Sequence, residues 1–384
     1  MNQTGDRGRP FSAREMARYQ RQLVLPEVGI EGQRRLTGSR VLVIGAGALG
    51  SAAATYLAVA GVGTIGLLDG DRVDATNLHR QILHATADVG RPKTESGKDR
   101  LRALNPDIEV VEHREFLSRE NALDLFSGYD LVVNGSDNFP TRYLVNDAAV
   151  LTGKPWVDAA ILRFEGQLAV FRPGHGCYRC LFPSPPPPGT VPSCAEAGIL
   201  GAVAGVLGSM EAVEALKLLV GLYPDEPGKL LLYDAIRSSW HAIPFRADPL
   251  CPVSGEHPTI TELVDYEGFC GVPLPTSEAP SDAAPVFEMG ALEAERLLAE
   301  GKVRVIDVRT PEEYRRGHLP GAVLTPLDQL DTLDDDRRPV LTVRAVGVRS
   351  QYAAQYLRTR GRTAWSLKEG TSGWVNAGRP WTLY

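Results

Sequence analysis

Between Arg40 and Gly50 the chain reads RVLVIGAGALG, and this stretch restricts the fold more than any other. Arg40 to Ile44 supplies the branched, apolar residues of a buried strand. Gly45, Gly47 and Gly50 then break the strand into a tight turn, and an alanine-rich run from Ser51 to Ala60 reads as a helix. Thr64 to Asp69, TIGLLD, reads as a second strand. Strand, glycine turn, helix and strand within about thirty residues make a βαβ unit, whose crossover sets the two strands parallel.

The pattern continues. Residues 10–37 read as helical, and Leu131-Val132-Val133 is an apolar strand that ends in the polar run Asn134 to Asn138. Alternating strands and helices imply an α/β fold with a Rossmann-like, mostly parallel sheet. The apolar stretch Gly198 to Met210 stops at Glu211, short of the roughly 20 residues a membrane helix needs. The residues after it read as an amphipathic helix, and no membrane association is expected. Residues 272–286 are rich in proline, alanine, serine and acid, after which a fresh βα pattern begins. The 384 residues therefore divide into a domain over 1–271, a linker over 272–284 and a smaller α/β domain over 285–384. A hydrophobic share of 43% excludes wholesale disorder, and a net charge of −6 argues against a nucleic-acid binder. Five cysteines make no dense disulfide framework. With a polar N-terminus, they point to a cytoplasmic protein.

A Gly-x-Gly-x-x-Gly turn opening a helix lets backbone approach a phosphate and offers it free N–H groups. The following segment chooses among nucleotide chemistries. Asp69 and Asp71 lead into Thr76, Asn77, Leu78, His79, Arg80 and Gln81, and then Lys93. Cations beside a nucleotide suit phosphoryl or adenylyl transfer, in which negative charge builds on the phosphates. Asp137, at the carboxyl end of its strand and followed by Asn138, is placed to hold magnesium. Taken singly, each cation also reads as a solvated surface charge. A nicotinamide-dependent oxidoreductase and a non-catalytic nucleotide-binding scaffold stay open at this point.

The ordered series RYQRQ, GQRRL, RVLVIGAGALG, LLDGDRVDATNLHRQ, GRPK, SDN and CYRC resembles the MoeB/ThiF adenylyltransferases over about residues 10–270. The resemblance implies ATP-dependent adenylation of the C-terminal glycine carboxylate of a small ubiquitin-like sulfur carrier ending in Gly-Gly. Sulfur then comes from a separate donor protein, for molybdopterin, thiamine, cysteine or tRNA-thiolation chemistry. It implies that Gly45, Gly47, Ala48 and Gly50 form the phosphate turn, with Ala48 where relatives often have glycine. Asp69 is implied to bind ribose, Asn77 and Arg80 the phosphates, and Lys93 the charge that develops as pyrophosphate leaves. Asp137 is implied to hold magnesium. A homodimer is implied too, with Arg21 reaching into the partner's site.

Relatives complete Cys177-x-x-Cys180 with a second Cys-x-x-Cys to bind zinc, and here the matching text is Cys251-Pro-Val-Ser254. Serine in the fourth position leaves zinc binding open. Cys194, before an apolar helix, is a candidate transfer thiol, and Cys270 reads as packing. The C-terminal unit resembles a rhodanese domain, on VIDVRTPEEY from Val305 and GHLPGA from Gly317. Alignment on Gly347-Val348-Arg349-Ser350 puts Arg344 where active rhodaneses carry the persulfide-forming cysteine. A degenerate domain without sulfurtransferase activity is expected.

Overall fold

The computed structural model describes residues 10–186, 198–270 and 288–382, apart from 310, 316, 327, 328, 331, 332, 334, 335, 345–348, 369 and 377. Cys194, the expected linker and most of the proline run at 185–189 lie outside the described residues. The chain forms two compact units, Met1–Leu274 and Pro275–Tyr384.

The first unit begins with α1 (Ala13–Leu23) and α2 (Gly29–Thr37). The expected single helical stretch over 10–37 is thus two helices. Pro26 disfavours helical backbone at Leu25 and cannot donate to the helix ladder, so the chain turns there. Ser12 and Glu15 close a reciprocal capping box that fixes the start of α1. The core motif follows as β1 (Arg40–Ile44), α3 (Ala48–Ala60) and β2 (Thr64–Leu68). Helix α3 starts at Ala48, ahead of the expected Ser51, because Gly47 already serves as its N-cap.

Next come α4 (Lys93–Leu104), β3 (Glu109–His113), α5 (Ala122–Ser127), β4 (Leu131–Asn134) and α6 (Phe139–Thr152). They are followed by β5 (Trp156–Leu162), β6 (Glu165–Phe171), α7 (Tyr178–Leu181) and α8 (Gly201–Val220). Strands β7 (Gly228–Asp234) and β8 (Ser239–Phe245) complete the sheet. The sheet order is β3-β2-β1-β4-β5-β6-β7-β8, parallel through β5 and antiparallel from there.

Strand order reverses between β1 and β4, whose ends align with Ile44 opposite Asn134. The loops after these two strands therefore open side by side at the sheet's carboxyl edge, where doubly wound sheets bind ligands. The apolar run and the expected amphipathic segment are one helix, α8, packed on α3 and β5. Gly208 allows the close approach: a Cβ there would lie 2.4 Å from the Leu49 carbonyl oxygen. No helix among the described residues is long and apolar enough to cross a membrane.

The second unit holds a five-stranded parallel sheet, with β9 (Glu288–Met289), β10 (Arg304–Asp307), β11 (Val323–Leu324), β12 (Val340–Val343) and β13 (Ala364–Leu367). Its order is β11-β10-β12-β13-β9. The βα pattern expected after the linker opens with the short strand β9, followed by the helix Ala291–Ala299.

Candidate active site and cysteine cluster

The turn after β1 is built around two glycines. Gly45 has φ +85°, a left-handed conformation that side chains disfavour. A Cβ on Gly50 would lie 1.8 Å from the Gly45 carbonyl oxygen, so α3 seats against the turn only with hydrogen at that position. At Gly47 a Cβ would meet nothing nearer than Gln81 Nε2 at 3.8 Å, which leaves open space over the turn. Ala48, in place of a glycine, has no positive φ and begins the helix without strain. No side chain caps α3, so its first-turn N–H groups remain available to an anion.

Asp69 is buried at the end of β2 and braces this turn. One carboxylate oxygen accepts from the Ala46 amide at 2.9 Å and the other from the Asp71 amide at 2.8 Å. A ribose would have to use its remaining lone pairs. Opposite, His84 bridges the Ala46 carbonyl at 3.0 Å and Ser96 Oγ at 2.9 Å. Burial pushes the His84 imidazole below its ordinary pKa, so it acts as a neutral strut. The sequence reading missed His84, which carries no local motif.

Lys93 begins α4 as a buried residue. Its Nζ lies 2.8 Å from Asp71 and 3.6 Å from Asp69, which ties the cation to the mouth of the turn. Arg80 donates to Asn77 Oδ1 at 2.5 Å and meets His79 Nε2 at 2.7 Å. Thr76 is pinned by Asp74, Leu78 is half-buried, and Gln81 is buried with its Oε1 unpartnered beside the Gly47 turn. Gly201, at the start of α8, permits close contact with this segment: a Cβ there would come within 2.2 Å of the His79 carbonyl oxygen.

The loop after β4 closes the other side. Gly135 donates to the Ile44 carbonyl at 2.8 Å, and its carbonyl oxygen lies against Gly45, so this loop abuts the glycine turn. Asp137 stands exposed on it, while Asn138 accepts from the Thr141 amide at 2.8 Å and caps α6. One exposed carboxylate suits magnesium, which keeps several waters and binds through one or two carboxylates plus phosphate oxygens. Beneath the loop, Asp158 accepts from Asn134 at 2.8 Å and from the buried Arg142 at 3.0 Å. Arg21 sits exposed in the last turn of α1 and makes no hydrogen bond or ion pair to these residues among those described.

Away from this edge, Cys177, Cys180 and Cys251 converge. Cys177 Sγ lies 3.7 Å from Cys180 Sγ and 3.5 Å from Cys251 Sγ, and Ser254 Oγ lies 3.2 Å and 3.4 Å from the Cys177 and Cys180 sulfurs. A tetrahedron with zinc–sulfur bonds of about 2.3 Å has edges of about 3.8 Å, so the three thiols fit zinc with the hydroxyl at the fourth corner. Thiol donors from Cys177 and Cys251 hold Cys180 below its ordinary pKa, and accordingly Cys177 is pushed up. Cys270 packs in the apolar core, where burial pushes its thiol to about 11. In the second unit Arg344 is buried just after β12, and Arg309 pairs with Asp307 at 2.7 Å.

The ThiF family model matches residues 19–253, more than half of the chain. The chain belongs to the ThiF family. Beyond the ThiF match, a rhodanese-like domain matches residues 291–377. The chain is 46% identical over 383 residues to the probable adenylyltransferase/sulfurtransferase MoeZ of Mycobacterium tuberculosis, covering 96% of this chain and 95% of that one. It is 54% identical over 268 residues to the sulfur carrier protein adenylyltransferase of Thermus thermophilus, covering 68% of this chain and 99% of the relative. Among solved structures, Escherichia coli MccB with ATP aligns with a TM-score of 0.51 at 27% identity, over 62% of this chain and 74% of that one.

Proposed function

We propose that this chain is an ATP-dependent adenylyltransferase for the C-terminal glycine carboxylate of a small ubiquitin-like sulfur carrier. The observation that carries the reading is the meeting of three features at one sheet edge: the uncapped start of α3, the Lys93–Asp71 pair and the exposed Asp137 loop. The relatives' names, adenylyltransferase/sulfurtransferase and sulfur carrier protein adenylyltransferase, point to the same chemistry rather than to hydride transfer.

In the reaction a carboxylate oxygen of the carrier attacks the α-phosphorus of ATP. The bond to the β-phosphate oxygen breaks, leaving an acyl-adenylate and pyrophosphate. Gly45, Gly47, Ala48, Gly50 and the α3 amides hold phosphate oxygens, and Asn77 and Arg80 hold others. Lys93 meets the charge that builds as pyrophosphate departs. Asp137 is the residue that would hold magnesium, which supplies charge neutralisation across the phosphates. Arg21 acts across a homodimer, in the partner's site.

Sulfur comes from a separate donor protein, and Cys194 is the candidate thiol for its transfer. The rhodanese-like unit does not carry a persulfide itself: Arg344 occupies the cysteine position and no cysteine follows residue 270. The deciding experiment incubates the protein with ATP, magnesium and carriers ending in Gly-Gly, followed by mass spectrometry of the carrier. An AMP adduct on one carrier is expected. The reading fails if no carrier gains AMP and no ATP–pyrophosphate exchange occurs.

A further inference from the structure

The cysteine cluster has the donor set of a metal site with one weak corner. Structural zinc sites are closed by four strong ligands, whereas reactive ones keep three protein ligands and an exchangeable fourth. Cys177, Cys180 and Cys251 supply three thiolates. Ser254 supplies a neutral hydroxyl that would have to deprotonate far above neutral pH to match them.

That corner also opens on a cavity. Ser254 and Cys177 line a cavity of about 190 Å³, whose walls include Trp156, Phe171, Lys154 and Arg172. Ser254 and Cys180 are only partly buried, whereas Cys177 and Cys251 are buried, and of the two partly buried groups only Ser254 lines the cavity. The space is far larger than one water needs.

Charge decides what could enter. A divalent ion with three thiolates carries a net charge of −1, and an anionic fourth ligand makes it −2. Arg172 is committed, donating to the Glu226 carbonyl at 3.0 Å and lying over Tyr223. Lys154 lines the same cavity as Ser254, and its ammonium makes no hydrogen bond or ion pair among the described residues. An ammonium on the wall offsets the added negative charge, and the aromatic walls favour a soft, weakly hydrated anion over a hard oxyanion.

We propose that Cys177, Cys180 and Cys251 hold zinc with an exchangeable fourth position at Ser254, open to a small thiolate or hydrosulfide that enters through this cavity beside Lys154. Exchange forms a metal–sulfur bond and breaks the metal–oxygen bond to Ser254, which keeps its proton. No electrons are transferred, and the reading is independent of the adenylation chemistry.

The test loads the full chain with cobalt(II) and titrates sodium hydrosulfide while recording the visible spectrum. The wild-type protein should show a saturable rise in thiolate-to-metal charge transfer and a shift of the d–d bands toward a four-sulfur pattern. Ser254→Cys should show that pattern before any addition and not respond. Ser254→Ala, which removes only an oxygen, should respond like wild type. Lys154→Ala should raise the half-saturating concentration several-fold at unchanged cobalt stoichiometry. The proposal is overturned by failure to bind cobalt near one per chain, by an unresponsive wild-type spectrum, by bleaching through cobalt loss, or by an unchanged half-saturation in Lys154→Ala.

Discussion

The Lys93 ammonium lies 2.8 Å from the Asp71 carboxylate, with the lysine buried and the aspartate facing solvent. This pair puts a fixed cation at the mouth of the glycine turn, already desolvated and already oriented. Such a group stabilises charge that appears only as the reaction proceeds, without reorganising at that moment.

Lys93→Met should therefore lower kcat for ATP–pyrophosphate exchange by about 10²–10³-fold, with a smaller change in the KM for ATP. The fold should survive, because Asp69 keeps its two backbone donors. Exchange assays beside a thermal melt check both halves. An unchanged kcat would remove Lys93 from the chemistry.

The glycine turn separates ligand binding from packing at two positions three residues apart. Gly50→Ala drives a Cβ to 1.8 Å from a backbone oxygen, so it should cost at least about 3 kcal/mol of stability. Gly47→Ala has room, at φ −83°, and should melt like wild type. It should still weaken ATP binding about tenfold or more, a loss of about 1.4 kcal/mol, because its methyl fills the space over the α3 amides. Equilibrium binding of a non-hydrolysable ATP analogue checks this, and wild-type affinity in Gly47→Ala would place the phosphates elsewhere.

What the sequence told and what it withheld follow from range. The strand, turn and helix from Arg40 to Ala60 are written in adjacent residues, so period and glycine spacing reveal them. The residues around Arg80, Lys93 and Asp137 were legible as an ordered series of motifs. The helix break near Pro26 was legible in principle, since proline punctuates a helix locally. His84, Asp158 and Glu211 were not. Glu211 follows an apolar run and reads as the start of a solvent-facing stripe, yet α8 packs against both α3 and strands β4, β5 and β6, and Glu211 is completely buried. Only the tertiary packing decides that face.

Glu211 consequently gives a pH dependence. It is 0% exposed, its carboxyl oxygens have no hydrogen-bond partner by distance and angle, and the Ala159 amide offers some relief. Two acids, Asp158 and Glu211, face one guanidinium, Arg142, which is engaged with Asp158. Desolvation raises Glu211 well above the ordinary carboxylate value. The unfolded chain ionises this residue at lower pH than the folded one, so wild-type stability falls as pH rises above the ordinary value, until the raised one is passed. Each pH unit in that window costs about 1.4 kcal/mol. Glu211→Gln should match wild type near pH 4 and melt progressively higher than it toward pH 8. A melting difference that stays flat with pH would refute a protonated Glu211.

Chemistry at the rhodanese-like unit is tested by absence of turnover. A guanidinium has no nucleophilic sulfur and stays protonated, so the full chain given thiosulfate and cyanide should form thiocyanate no faster than buffer. Catalysed thiocyanate release would show that another group accepts the sulfur.

Arg21 is exposed in the last turn of α1 and makes no hydrogen bond or ion pair with the rest of the site among the described residues. If it serves the partner's site in a twofold dimer, Arg21→Ala and Lys93→Ala are each inactive for different reasons. In a mixed dimer one site carries both substitutions and the other carries none. Random exchange of equal amounts makes half of the dimers mixed, each with one intact site of two. About one quarter of wild-type ATP–pyrophosphate exchange should then return. Arg21 acting within its own subunit leaves every mixed dimer with one defect per site, and no activity returns. The outcome therefore depends on which subunit donates the arginine, and a mixture as inactive as its components would return Arg21 to the role of a surface charge.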